Sequence, residues 1–200
     1  GGSNVCMYTS PEVHGLLALM ELQASRLRAR SAPDGTPILL EAQLRSRWDR
    51  LLLGRGLAGL TKAESLARPS GPYTLQAAIA ACHARALRFE DTDWVRIAAL
   101  YDALVSVTGS PVVELNRAVA VARAFGPAQG LEIADALADE PALRDYHLLP
   151  AVRGELLEQL GRHGEARLEF ERAAALARNR RERDVLLARA MACGSTAGRT

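Results

Sequence analysis

Cys82 and His83 are adjacent, and a thiol beside an imidazole is the residue pair of a nucleophile and its base. Neighbours on a helix point about 100° apart, however, so the two side chains cannot readily share a hydrogen bond. Asp91-Thr92-Asp93-Trp94 offers two carboxylates for metal binding or acid–base work. Its plainer reading is a helix N-cap with negative charge at the helix start and Trp94 turned inward. His14, His83, His147 and His163 lie far apart and form neither HxxxH nor HExxH, so neither a metal site nor a cofactor is expected. Arg178, Arg180, Arg181 and Arg183 form a basic run, which reads as a solvated face or as a contact for an acidic partner or a DNA backbone.

Polar residues at helical spacing are the better lead. Gln76 and His83, and Asn116 and Arg123, are each spaced i, i+7 and fall on one stripe of a helix. The two stripes correspond at an offset of 40 residues, because Leu75–Ala84 aligns without a gap to Leu115–Ala124. Ala78 matches Ala118, Ile79 matches Val119 and Ala80 matches Ala120. Such residues on Ala-rich helices either contact a ligand or partner, or simply face solvent and satisfy inter-repeat carbonyls.

The elements that would carry them are helix pairs. Residues 147–177 read as one tetratricopeptide-type pair: Gly154 at the close approach, Leu157 one turn on and Gly161 ending the first helix. Ala166, Phe170 and Ala173 then make a small-large-small face on the second helix. Two earlier pairs are expected, with second helices near Asp93–Val107 and Ala128–Ala138, and a last helix over Arg181–Met191 capped by Asn179. The glycines ending two first helices, Gly126 and Gly161, are 35 apart, close to the usual period of about 34. A pair of this kind cannot bury its apolar face alone, so stacked pairs form a solenoid whose concave surface binds partners. Counting back from the third pair puts Ala151 and Glu158 in the same concave row.

Upstream, the spacing predicts a helix over Pro11–Arg30 with Ser10 as N-cap, a turn at residues 31–37 and a helical region over Leu40–Ala67. Leu44, Trp48, Leu51 and Leu52 would share a stripe, and Gly54 and Gly56 are candidate breaks. The run at residues 68–72, Arg-Pro-Ser-Gly-Pro, is the expected subdomain boundary. The organisation is thus 1–10 as cloning scar and linker, 11–68 as an N-terminal helical subdomain, 72–193 as three helix pairs with a capping helix, and 194–200 as a disordered tail. The fold class is all-α.

Composition agrees. Hydrophobic residues make up 48% of the chain but aromatics only 4%, so its core is Ala, Leu and Val, which suits closely packed helices. Lys62 is the only lysine among 25 basic residues, the mark of a GC-rich coding bias. A net charge of +2 is too small for a nucleic-acid-binding body. Cys6, Cys82 and Cys193 are odd in number and contain no CxxC, which fits a reducing compartment. No apolar run approaches the ~18 residues of a membrane span, so a cytoplasmic location is expected.

Several ordered blocks carry a resemblance. They are Pro-Glu-Val-His-Gly-Leu-Leu-Ala-Leu-Met (11–20), Arg-Ser-Arg-Trp-Asp-Arg (45–50), Pro-Tyr-Thr-Leu-Gln-Ala-Ala-Ile-Ala-Ala-Cys-His-Ala (72–84), Asp-Thr-Asp-Trp (91–94), Ser-Pro-Val-Val-Glu-Leu-Asn-Arg-Ala-Val-Ala (110–120) and Tyr-His-Leu-Leu-Pro-Ala-Val-Arg (146–153). Over residues 11–193 the chain resembles the C-terminal extension of a group of bacterial extracytoplasmic-function RNA polymerase sigma factors, whose genes accompany DGPF-domain proteins. That resemblance implies a non-catalytic interaction and regulatory domain that modulates transcription initiation. The implied partners are the sigma-factor core domains of the same full-length protein, the RNA polymerase core and a DGPF-domain protein. Direct DNA binding by this region is not expected. Gln76, His83, Asn116, Arg117, Arg123 and Glu158 are the candidate partner-binding residues of the groove. The alternative is a small-molecule sensor or remnant enzyme using the groove, with His83, Arg117, Arg123 and His147 as its polar groups.

Overall fold

The computed structural model describes residues 10–33, 35, 37–66 and 70–197, and for 196 and 197 only the backbone. Among them the chain is all-α, with nine α-helices, five short 3-10 turns and a lone antiparallel bridge between Ser31 and Pro37. It divides into two compact units between Thr108 and Gly109.

In the first unit, α1 spans Pro11–Ala24, α2 Arg50–Leu66, α3 Pro72–Arg85 and α4 Trp94–Thr108. Ser10 stands at the N-cap position in extended backbone, but its hydroxyl makes no cap bond. α1 stops six residues before the expected Arg30. The Ser25 hydroxyl bonds to the Leu22 carbonyl at 2.7 Å, while the Ser25 carbonyl accepts the Asp49 N–H at 2.8 Å, so the chain tightens into a 3-10 turn at Leu27–Ala29.

The helical region expected from Leu40 begins as α-helix only at Arg50, after 3-10 turns at Leu40–Ala42 and Arg45–Arg47. Asp49 sets the start: its carboxylate accepts the N–H groups of Leu51 and Leu52 at 2.9 and 3.1 Å. The expected stripe is therefore not formed, and Trp48 is buried while Leu44 and Leu51 are exposed. Gly54 and Gly56 do not split α2. Gly56 instead lets α1 approach: a Cβ there would lie 2.8 Å from Leu22 Cγ and 3.1 Å from the Ala18 carbonyl.

α1 packs on both α2 and α3, so the break at residues 70–72 lies inside this unit and does not divide it; residues 67–69 lie outside the described residues. Glu12 makes the junction. Its carboxylate accepts the N–H groups of Tyr73 and Thr74 at 2.8 and 3.2 Å and the Thr74 hydroxyl at 2.7 Å, capping α3 from a neighbouring helix. Ala18, Leu22, Leu60, Ala77, Ala78 and Ala81 form the core.

The second unit holds α5 Pro111–Phe125, α6 Pro127–Ala136, α7 Leu148–Gln159, α8 His163–Leu176 and α9 Arg180–Ala197, each packed on the next. Gly126 and Gly161, with φ of 113° and 75°, end α5 and α7 in backbone that a side chain would strain. Gly154 lies against the Phe170 ring, and Ala166, Phe170 and Ala173 are fully buried, as the small-large-small pattern requires. Asn179 caps α9 through the Arg181 N–H at 2.9 Å. α9 continues through residues 194–197, expected as tail, because Cys193 is buried on the core and Ser195 bonds back to the Met191 and Ala192 carbonyls.

Candidate functional site

Three sequence blocks that lie far apart meet in the first unit. The residues just after α1 present Arg26, the turn at Arg45–Arg47 presents Arg45 and delivers Trp48, and the last turn of α3 presents His83. Thr92 and Trp94 arrive from the 3-10 turn at Phe89–Asp91 and the start of α4. Trp48 is the hub, buried with the guanidinium carbons of Arg26 and Arg45 at 5.2 and 4.4 Å from its ring centre. His83 meets Trp94 edge-on at 5.2 Å, and Trp94 meets Phe89 likewise at 5.5 Å. Arg26 Nε donates to Gln43 Oε1 at 3.2 Å, and Gln43 Nε2 donates to the Ile38 carbonyl at 2.9 Å.

The electrostatics are cationic. Burial, then the repulsion of Arg30 and Arg45, lowers the Arg26 pKa to about 10. Burial also lowers that of Arg45, against the pull of Glu90. Burial, then Arg26 and Arg45, lowers His83 to about 4, so its ring is neutral at physiological pH. Neither Arg26 nor Arg45 has an ion-pair partner among the described residues.

The chemistry considered for individual residues resolves differently. Burial raises the Cys82 thiol pKa, the opposite of what an activated nucleophile needs. Asp93 caps α4 through the Arg96 N–H at 2.9 Å, and Asp91 forms a two-bonded pair with Arg88. These aspartates edge an open cavity of about 360 Å³ with Cys82, Arg85, Leu87 and Arg96. Among the described residues, no three His, Cys, Asp or Glu side chains are grouped to hold a metal. Cys6 lies outside them.

Gln76 is exposed on α3, while His83, expected beside it in a groove, turns into the aromatic cluster. In the second unit Asn116 is exposed and Arg117 forms a bidentate pair with Glu114 at 2.9 and 2.6 Å. Arg123 faces Glu155 at 3.7 Å, one turn before the Glu158 that counting back by 35 gives. Glu158 is turned to α9, where it pairs with Arg189 and accepts from the Cys193 thiol at 3.6 Å. The Arg189 guanidinium also covers the Phe170 ring at 4.3 Å. The cleft of Val119, Arg123, Val152 and Glu155 encloses about 20 Å³, room for a water and not for a metabolite. His147 faces Glu182 at 3.6 Å. Of the basic run, Arg183 donates to the Ala177 carbonyl at 2.8 Å and so caps α8, while Arg178, Arg180 and Arg181 are exposed.

Residues 4–64 match a family of unknown function, DUF6596. Over 172 residues the chain is 50% identical to an uncharacterized protein of Rhizobium meliloti (strain 1021). The match takes in 86% of this chain and 40% of that protein, so the chain spans less than half the length of the curated relative. No solved structure matches.

Proposed function

We propose that this chain is a non-catalytic interaction and regulatory domain of an extracytoplasmic-function sigma factor. In this reading it acts in the cytoplasm and tunes transcription initiation by packing on the sigma core, with RNA polymerase and a DGPF-domain protein as further partners. The observation that carries the reading is the outer face of α1. Its inner face buries Gly15, Ala18, Glu21 and Leu22, yet the outward side holds Val13, Leu16, Leu17 and Met20, with Leu17 49% and Met20 60% exposed. The outer face of a surface helix is ordinarily polar, and a run of exposed apolar residues marks a surface that another protein covers. No described helix is long and apolar enough to cross a membrane. The resemblance carried by the sequence blocks supports the sigma core as the covering protein.

The test mixes separately produced sigma-core domains with this chain and with its Leu17→Glu/Met20→Glu form. Wild type binds, and the double variant binds at least about tenfold more weakly while keeping its helical circular dichroism. Equal binding by the two forms overturns the α1 surface. A sigma factor lacking this region that still transcribes and responds normally overturns the function.

A further inference from the structure

Arg45 Nε and Nη2, Trp48 Nε1 and His83 Nδ1 are buried side-chain atoms without a hydrogen-bond partner, and so is a fifth, Thr92 Oγ1, two residues before the Trp94 that packs on His83. Trp48 and Thr92 are 3% and 6% exposed, so these are not surface groups waiting on bulk solvent. Leaving such a group unpaired is costly, and an uncompensated buried charge costs more. Four of the five can donate, and the guanidinium groups of Arg26 and Arg45, neither in an ion pair among the described residues, lie on the Trp48 ring, with Glu90 the carboxylate that acts on Arg45.

We propose that this cluster is a binding site for a small oxyanion, a carboxylate or a phosphate. Arg45 Nη1 already points to the Leu40 carbonyl at 3.5 Å, which leaves its Nε–Nη2 edge as the fork that grips two oxygens at once. Trp48 Nε1 and the Thr92 hydroxyl supply further donors, and Arg26 supplies charge from the other contact on the Trp48 ring. The neutral His83 presents Nδ1 without adding charge. The inference does not depend on the sigma-factor reading, because it rests on different residues from the α1 face.

Trp48 and Trp94 are the only tryptophans of the chain and both belong to the cluster, so intrinsic fluorescence reads the site directly. The chain is titrated with sodium phosphate and, separately, with sodium malonate, at ionic strength held constant with sodium chloride. A saturable emission change with a rise in melting temperature is expected for at least one anion. Phosphate alone or malonate alone identifies the source, and both together identify the shared chemistry. Arg45→Lys keeps the charge but loses the fork and weakens binding at least about tenfold. Thr92→Val, nearly isosteric, weakens it by about three- to tenfold and decides the matter should Arg45→Lys fail to fold. Arg180→Ala, on the exposed run, leaves it unchanged. No saturable response to either anion, or wild-type affinity in the folded variants, overturns the site.

Discussion

Gly154 of α7 and Phe170 of α8 are in direct apposition: a Cβ built on Gly154 would stand 2.9 Å from two carbons of the Phe170 ring. Phe170 is fully buried, with Ala166 and Ala173 around it, and a flat ring held on several sides cannot retreat. Gly154→Ala therefore destabilises the second unit by about 1–3 kcal/mol, despite the gain of up to ~1 kcal/mol in helix propensity. Gly54 on α2 is the control, since nothing lies within 4 Å of a Cβ there. Gly54→Ala raises stability by about 0.5–1 kcal/mol. Urea unfolding of the two variants should move in opposite directions.

Arg123 and Arg189 both approach Glu155, at 3.7 and 3.8 Å, yet they are not equivalent. The Arg123–Glu155 pair is largely solvated, and such pairs contribute about 0–1 kcal/mol. Arg189 also pairs with Glu158 and covers the Phe170 ring. Arg123→Ala is expected to cost less than about 1 kcal/mol and Arg189→Ala about 1–2 kcal/mol, because the latter uncovers an aromatic face as well. Equal costs in urea unfolding would assign the stability of α9 to its apolar contacts alone.

Glu12 and Thr74 are 62 residues apart in sequence and joined by a 2.7 Å hydrogen bond. A Cβ built on Gly15 would meet Thr74 Oγ1 at 2.5 Å, so α1 approaches the first turn of α3 through a glycine. Glu12→Ala leaves two N–H groups at the start of α3 without their acceptor and lowers stability by about 1–2 kcal/mol. Glu12→Gln keeps one acceptor oxygen and should recover about half of the loss. Thermal unfolding of the three forms checks the order.

The legible parts of the fold were those with a local steric signature. Gly154, Ala166, Phe170 and Ala173 encode helix contact through size alone, and Asn179 and Asp93 encode helix starts through their own side chains. Glu12 could not be read as a cap for α3, because its partners come from a distant stretch of chain. The site was less legible for the same reason. The i, i+7 stripe of Gln76 and His83 describes one helix in isolation, whereas the place of His83 is decided by Trp94, Arg26 and Arg45. The adjacency of Arg45, Arg47 and Trp48 was the available signal, and it needed the 3-10 turn, and not a helix, to bring Arg45 over the Trp48 ring.

His83 gives a pH dependence with a definite sign. Its folded-state pKa is lowered from 6.5 to about 4, first by burial and then by Arg26 and Arg45, with the Trp94 ring packed on its edge. Between those values the unfolded chain binds a proton on this residue that the folded chain refuses. Stability therefore rises with pH through the window, is complete above about pH 6.5 and is lost as pH falls toward 4. The contribution is on the order of 3 kcal/mol when the whole window is crossed. His83→Gln, which carries no titrating group, should lose less stability than wild type between pH 7 and pH 5, where most carboxylates have yet to protonate. Urea unfolding midpoints of the two proteins across that interval make the comparison. If the midpoints fall in parallel, His83 is as readily protonated in the folded protein as in the unfolded chain, and neither its burial nor the charge of Arg26 and Arg45 holds the proton off.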